Sequence, residues 1–258
     1  MRVLITGGEG YIGTNLSDFL TRKGYDVEIM DRKSSGWAET VSSYYMEWNI
    51  HPHAIVHLAA LSGIKQCNRD ISLAINDNIM TAENIFSISD RLNIPVIFTS
   101  SQAAKNPQNI YGVLKCVCEK LAQKYNVSIL RLSNVYGGID YLTTKTSAIA
   151  NFINAKINNK QIVINGDGNQ TRDFIHVSEV CRAIELCLGK YNLLLDIGTG
   201  IPRSINEVVQ MMNYDNIINT RGPGDVSSGT ADTSKAKDII GFEAVDMLRE
   251  YLKAPHRS

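Results

Sequence analysis

Residues 4–13, LITGGEGYIG, end a short apolar run, turn on glycines and open a helical pattern. Gly7, Gly10 and Gly13 fall at the spacing of a phosphate-binding turn. One glycine makes the tight turn, one lets a pyrophosphate approach the backbone, and one lets helix and strand pack closely. The helix start then offers free N–H groups to the phosphates. Further along, DVEIMD (26–31) ends in Asp31, near the ~20-residue distance at which an acid reaches the ribose hydroxyls of a dinucleotide. A carboxylate there accepts from a ribose diol and repels a 2′-phosphate, which favours NAD. Arg32 and Lys33 follow at once and are suited to pair with that phosphate, which keeps NADP as the alternative.

Outward from this turn, RVLIT, DVEIM, AIVHLAA, PVIFTSS, VSILRLS and NLLLDIG are near-continuous apolar runs. A parallel sheet covered on both faces requires such strands. Between them lie helical patterns at 13–24, 71–93, 111–126 and 177–189. The alternation predicts an α/β fold, a Rossmann-type doubly wound parallel sheet. The helix at 71–93 carries two apolar stripes, Ile75, Ile79, Ala82 and Phe86 against Ile85, Ile88 and Leu92. One stripe suits the sheet; the other suits a neighbouring helix or a partner subunit, and a helix that is simply well buried fits the pattern equally. After LRLSNVYGG the alternation loosens, which suits a smaller α/β substrate-binding lobe. The expected division is 1–133 plus about 175–200 for the NAD-binding domain, and 134–174 plus 201–258 for the lobe.

The chain has 258 residues, with 26 Lys and Arg against 26 Asp and Glu. That balance gives no footprint for nucleic acid or an anionic membrane. No apolar run approaches the roughly 20 residues of a membrane span. MRVLITGG reads straight into a strand, without signal-peptide anatomy, so a cytoplasmic protein is expected. The five cysteines are expected to be reduced thiols, and the spacing of Cys116 and Cys118 is not that of a zinc site. No metal is expected.

The stretch 100–115, SSQAAKNPQNIYGVLK, sets Tyr111 and Lys115 one helical turn apart, with Ser100 and Ser101 at the preceding strand end. A free phenol has a pKa near ~10, and a nearby ammonium lowers it. A Ser hydroxyl can hold the substrate oxygen while the phenolate removes an alcohol proton and hydride leaves for a nicotinamide.

TGGEGYIG, HLAA, NIMTAEN, SS, YGVLK, LRLSNVYG, GDGNQTRDFIHVSEV and ADTSKAKDIIG occur in the order seen in extended short-chain dehydrogenases/reductases. From Met1 to about Gly241 the chain resembles their nucleotide-sugar epimerases and dehydratases. The resemblance implies that Ser101, Tyr111 and Lys115 are catalytic, with Ser100 the alternative for the strand-end hydroxyl. It implies cofactor contacts from Gly7, Gly10, Tyr11, Ile12, Gly13, Asp31, Arg32, Leu58, Ala59, Ala60, Asn78, Thr99, Tyr111 and Lys115. Ser101, Asn134 and Arg172 would hold the nucleotide sugar, and Arg suits a diphosphate because its fork binds two oxygens at once. The related enzymes pair through the helices that here contain Ile85 and Val117, which implies a homodimer.

The chain departs from the family at several points. Only QAAKNPQN separates Ser101 from Tyr111, where a longer loop is usual. The crossover helix before HPHAIVHLAA is missing. Asn49 and Ile50 stand where an Asp and an apolar residue usually meet the adenine. Arg221 of RGPGD lies one place early for its phosphate role. After the strand-end Ser, the dehydratases carry Asp-Glu and the xylose-forming decarboxylases a Glu, whereas this chain has Gln102 and Ala103. The expected reaction is therefore NAD-dependent 4-epimerisation of a nucleotide-linked sugar, a UDP-hexose first. The alternatives are an NAD(P)H-dependent keto-sugar reductase, a non-catalytic dinucleotide sensor and an inactive homologue.

Overall fold

A computed structural model of the chain describes residues 1–31, 51–139, 141–143, 147–220 and 229–256. The expectations at Arg32, Lys33, Asn49, Ile50 and Arg221 lie outside these residues. Six parallel strands form the main sheet: β1 (Arg2–Thr6), β2 (Asp26–Met30), β3 (Ala54–His57), β4 (Val96–Ser101), β5 (Val127–Leu132) and, after three strands of the lobe, β9 (Leu194–Ile197). Their order is β2-β1-β3-β4-β5-β9. The apolar runs that read as strands are thus those that form the sheet.

Successive side chains of each strand enter different cores. Val3, Ile5, Val56, Ile97 and Leu130 pack on one face under α1 (Tyr11–Arg22) and α7 (Val177–Cys187). Leu4, Ile55, Val96, Phe98 and Ile129 pack on the other, under α4 (Thr81–Leu92) and α5 (Ile110–Ala122). Both faces are buried, so the strands show no polar alternation. Phe86 meets Phe98 edge to face at 5.5 Å, a geometry that contributes about 0.5–1.5 kcal/mol beyond the buried area.

The chain leaves β1 toward β2 on one side and returns to β3 on the other. This reversal opens a crevice at the carboxyl ends of β1 and β3, where ligands of open α/β sheets bind.

The helix expected at 71–93 is interrupted. α3 (Ile71–Ile75) and α4 flank a π turn at Asn76–Met80, and α2 (Ile64–Arg69) precedes them. A π turn adds a residue and rotates the following face. Ala82, Ile85, Phe86 and Ile88 consequently enter one core together. The two stripes are one broad buried face, and Ile85 is fully buried, so it is not a surface for a partner subunit. Over 71–93 the large apolar residues that stay exposed are Ile71, Leu73, Ile75 and Met80, all before α4.

The lobe holds β6 (Asn134–Tyr136), β8 (Thr171–His176) and β10 (Pro202–Ser204) in the order β10-β8-β6, and a parallel pair β7 (Ile162–Asn165) and β11 (Ile217–Thr220). With α6 (Ala148–Ile157), α8 (Ile205–Met211) and α10 (Leu248–Lys253) they enclose a separate core that includes Tyr136, Tyr141 and Phe152. α9 (Ser234–Ile240) does not join it. Ala236, Ile240 and Phe242 pack in the core beneath the main sheet, so the segment 201–258 serves both units. Among the described residues no helix is long and apolar enough to cross a membrane.

Candidate active site

The glycine turn is fitted to its surroundings. Gly7 has φ +72, and a Cβ there would stand 2.7 Å from the backbone of Ala59. A Cβ on Gly13 would stand 2.3 Å from the Gly7 carbonyl oxygen. Neither position admits a side chain. Gly10 precedes α1 and supplies no side-chain cap, so the first N–H groups of the helix keep their affinity for an anion. Asp31 is buried at the end of β2, where its carboxylate accepts from the Glu9 amide at 3.1 Å. The cradle and the acid together fit a dinucleotide. Tyr11 and Ile12 turn their side chains elsewhere. The Tyr11 hydroxyl donates to Gly137 O at 2.7 Å and ties the main sheet to the lobe, while Ile12 packs into the main core.

The preceding strand end sorts the two serines. Ser101 Oγ caps the short turn Gln102–Ala104 by accepting from the Ala103 amide at 3.3 Å, and it lies close enough to Tyr111 to ease ionisation of the phenol. Ser100 points the other way and donates to Glu119 Oε1 at 2.5 Å. Asn109 accepts from the Gly112 amide at 2.9 Å and so starts α5; such a cap contributes about 1 kcal/mol. It sets Tyr111 in the first turn, facing Ser101. Gly112 lets this turn close, since a Cβ there would stand 2.7 Å from Ala103 O. The shortened 102–109 segment is anchored at its far side by Lys105, whose ammonium pairs with the buried Asp196 on β9.

Lys115 lies one turn below Tyr111 and is 4% exposed. Its ammonium donates to Thr99 O at 2.9 Å and sits 4.7 Å from the Phe98 ring centre and 6.0 Å from that of Tyr111. Burial pulls this amine down to about 8. The phenol does not follow the expectation that Lys115 lowers it. Burial pushes Tyr111 up to about 12, and the Ser101 hydroxyl is what opposes the rise. The reason is that desolvation of the buried phenol is the largest influence on it, while the Lys115 nitrogen stands 6.0 Å from the ring centre.

The remaining expected residues divide by position. Ala59 packs on Gly7, Leu58 joins the main core, and Thr99 donates its hydroxyl to His57 O at 3.3 Å. Ala60 is half-buried beyond the end of β3. Asn78 is buried in the π turn and donates to Ala74 O and Leu61 O at 2.8 and 3.3 Å. Asn134 donates to Asp173 O at 3.2 Å, and Arg172 to Thr171 O at 2.8 Å, both in the lobe. Asp173, fully buried beside Arg172, accepts from Thr199, Gly200 and Ala231. It fastens the crevice side of the lobe to the end of β9.

Two buried polar residues near the site escaped the sequence reading, Glu119 and His57. Each interrupts an otherwise apolar pattern, which was the available signal. All five cysteines are free thiols. Among the described residues no cluster of His, Cys, Asp or Glu is arranged to hold a metal.

The profile of the NAD dependent epimerase/dehydratase family matches residues 3–198. The chain belongs to this family. Its cofactor is accordingly NAD, which the cradle at Gly7, Gly13 and Asp31 fits. The chain is 28% identical to a putative UDP-glucose 4-epimerase of Methanocaldococcus jannaschii over 295 positions, covering 97% of this chain and 96% of that one. The alignment is longer than the chain, so the relative has segments that this protein lacks. A UDP-N-acetyl-alpha-D-glucosaminuronate decarboxylase of Bacillus cytotoxicus is 27% identical, with 81% of this chain and 78% of that one covered. Among solved structures, UDP-glucose 4-epimerase of Thermotoga maritima with UDP-glucose superposes with a TM-score of 0.86 at 26% identity, covering 98% and 96% of the two chains. MoeE5 in complex with UDP-glucose and NAD gives a TM-score of 0.86 at 28% identity, with the same coverage.

Proposed function

We propose that this family member catalyses 4-epimerisation of a nucleotide-linked sugar, with a UDP-hexose as substrate. The observation that carries the reading is that Ser101, Tyr111 and Lys115 are brought together, with the Ser101 hydroxyl opposing the rise in the Tyr111 pKa and the Lys115 ammonium 6.0 Å from its ring centre, next to a turn, Gln102–Ala104, that bears no carboxyl group. Tyr111 takes the proton of the C4 hydroxyl, Ser101 holds that oxygen, and Lys115 stabilises the phenolate as it forms. NAD, held at the Gly7–Gly13 turn and Asp31, would supply a reversible hydride acceptor for the sugar carbon. Elimination or decarboxylation calls for a further acid–base group, and Gln102 and Ala103 offer none. The relatives that bind UDP-sugars support uridine as the nucleotide. Arg172 and Asn134 are assigned to the sugar diphosphate, and a homodimer is part of this reading.

The test is to mix the protein, without added coenzyme, with UDP-galactose or UDP-N-acetylgalactosamine. Chromatography is expected to reveal the gluco epimer, with no net change at the reduced-nicotinamide band. Product that forms only as supplied NADPH is oxidised replaces the epimerase with the keto-sugar reductase. Arg32 and Lys33, directly after Asp31, are the feature that favours that second reading. No product from uridine, thymidine, guanosine or cytidine sugars rejects both in favour of the sensor or the inactive homologue.

A further inference from the structure

Beneath α5, on the face of the sheet that this helix covers, runs a buried polar network. Glu119 lies one turn beyond Lys115 on α5 and is 4% exposed. It receives two hydrogen bonds from Arg131 of β5, Nε to Oε1 at 2.9 Å and Nη2 to Oε2 at 2.6 Å. Oε1 also accepts from Ser100 of β4, the neighbour of Ser101. The carbonyl of Arg131 accepts from Gln102 Nε2 at 3.1 Å, and Gln102 is the first residue of the turn that Ser101 caps. One carboxylate therefore joins the helix carrying Tyr111 and Lys115 to the two strands that aim Ser101. The pairing of Ser100 with Arg131 in the sheet brings both partners to the same level.

A buried ion pair is weak support for stability, since apolar groups of similar size often serve as well. Its value here is geometric. Serine, phenol and amine come from two elements joined by a short loop, and displacements of about 1 Å at a reacting centre can cost about 10²-fold in rate. We propose that Glu119 is a positioning residue for the Ser101–Tyr111–Lys115 set, fixing the end of β4 against α5 through Ser100 and Arg131 and setting a buried anion one turn from Lys115. This rests on the reading of those three residues as the catalytic set.

The groups around Lys115 are His57 from β3, Cys67 from α2, and Tyr111, Cys118 and Glu119 from its own helix. Burial lowers this amine, and Cys118, Cys67 and Glu119, in that order, oppose the fall; Glu119 is the carboxylate among them.

The decisive variant removes both charges, Glu119→Met with Arg131→Met, so that no buried charge is left alone. Two readouts are taken. In protein labelled at the lysine side chains, NMR follows the titration of the Lys115 amine, assigned by its loss in Lys115→Met. In turnover, kcat is separated from KM. The double variant is expected to fold, to bind NAD like the wild type, and to lose about 10–100-fold in kcat with KM for the sugar unchanged. The Lys115 titration is read in Glu119→Gln, where the anion is lost while Arg131 keeps its charge, and is expected at lower pH. If that variant does not fold, Ser100→Ala with Glu119→Gln carries the same readouts. A Lys115 titration that matches the wild type overturns the proposal, and so does an unchanged kcat. If the wild type turns over no sugar, the epimerase reading fails, and the Lys115 titration alone decides the role of Glu119.

Discussion

Tyr111 shows how a side chain's chemistry depends on its burial. Its phenol is held at about 12 while Lys115 is held at about 8, so burial disfavours the charged form of each. Proton transfer then depends on bringing the substrate hydroxyl within reach of Ser101 and Tyr111. Tyr111→Phe is expected to lower turnover by about 10²–10⁴-fold while NAD stays bound, read by kinetics and by equilibrium dialysis. Ser101→Ala is expected to cost more than Ser100→Ala, because Ser101 meets the phenol and Ser100 meets Glu119; the reverse ranking contradicts this assignment. His57 gives a pH prediction. It is 1% exposed, bonds Thr6 Oγ1 at 2.6 Å, and is pulled from 6.5 to about 3 by burial. Between those values the unfolded chain binds the proton that the folded chain refuses, so stability falls as pH drops. Urea unfolding at pH 7 and pH 5 is expected to reveal a loss of about 2 kcal/mol from this group, and His57→Phe is expected to remove that share. A variant with undiminished acid sensitivity rules His57 out as its source.

Among the elements, the junction of β4, the 102–104 turn and α5 is the most tightly specified. The segment from Gln102 to Asn109 must carry the chain from the sheet to the helix start, and Gly112 makes the fit possible. Gly112→Ala drives a methyl against Ala103 O, a backbone atom that cannot move without shifting the turn. The expected cost is about 1–3 kcal/mol of stability, together with lower kcat because Ser101 and Tyr111 separate. Thermal unfolding and steady-state rates check both; full activity at wild-type stability means that the turn yields without penalty. The π turn at Asn76–Met80 acts in a similar way. It rotates α4 so that its apolar residues meet the sheet, and it turns Asn78 inward beside α5, where Cys118 Sγ bonds its carbonyl at 3.5 Å.

The whole molecule is a doubly wound sheet with a lobe built from separated segments, and Tyr11, Asp173 and α9 bind the two parts together. The homodimer expected from the resemblance needs an apolar face. Ile85 is buried, so the exposed apolar residues available to such a face on these elements include Val113 and Val117 on α5, Ile75 on α3 and Met80 in the π turn. Light scattering at micromolar concentration is expected to give a dimer, and Val117→Arg to give a folded monomer. A monomeric wild type contradicts the expectation outright.

Glycine spacing, apolar runs and the terminal Asp31 were enough to indicate a parallel sheet with a dinucleotide crevice, because each is a local demand of backbone geometry. The Tyr111 to Lys115 interval was equally legible, since one helical turn sets their common face. The choice between Ser100 and Ser101 required the tertiary structure: adjacent strand residues face opposite ways, and only the packed sheet shows which side holds Tyr111. The ionisation of the phenol was misjudged for a related reason, as desolvation depends on what covers a group and not on its sequence neighbours. The double stripe at 71–93 left a well-buried helix and a partner surface both open, and the structure buries Ala82, Ile85, Phe86 and Ile88 after a π turn that no regular period reveals. The placing of Ala236, Ile240 and Phe242 was not legible either, because they bury themselves against strands far away in the chain, in the core of the main sheet. Local backbone requirements could be read from the order of residues, whereas side-chain facing, burial and long-range partners were decided by which surfaces met when the chain folded.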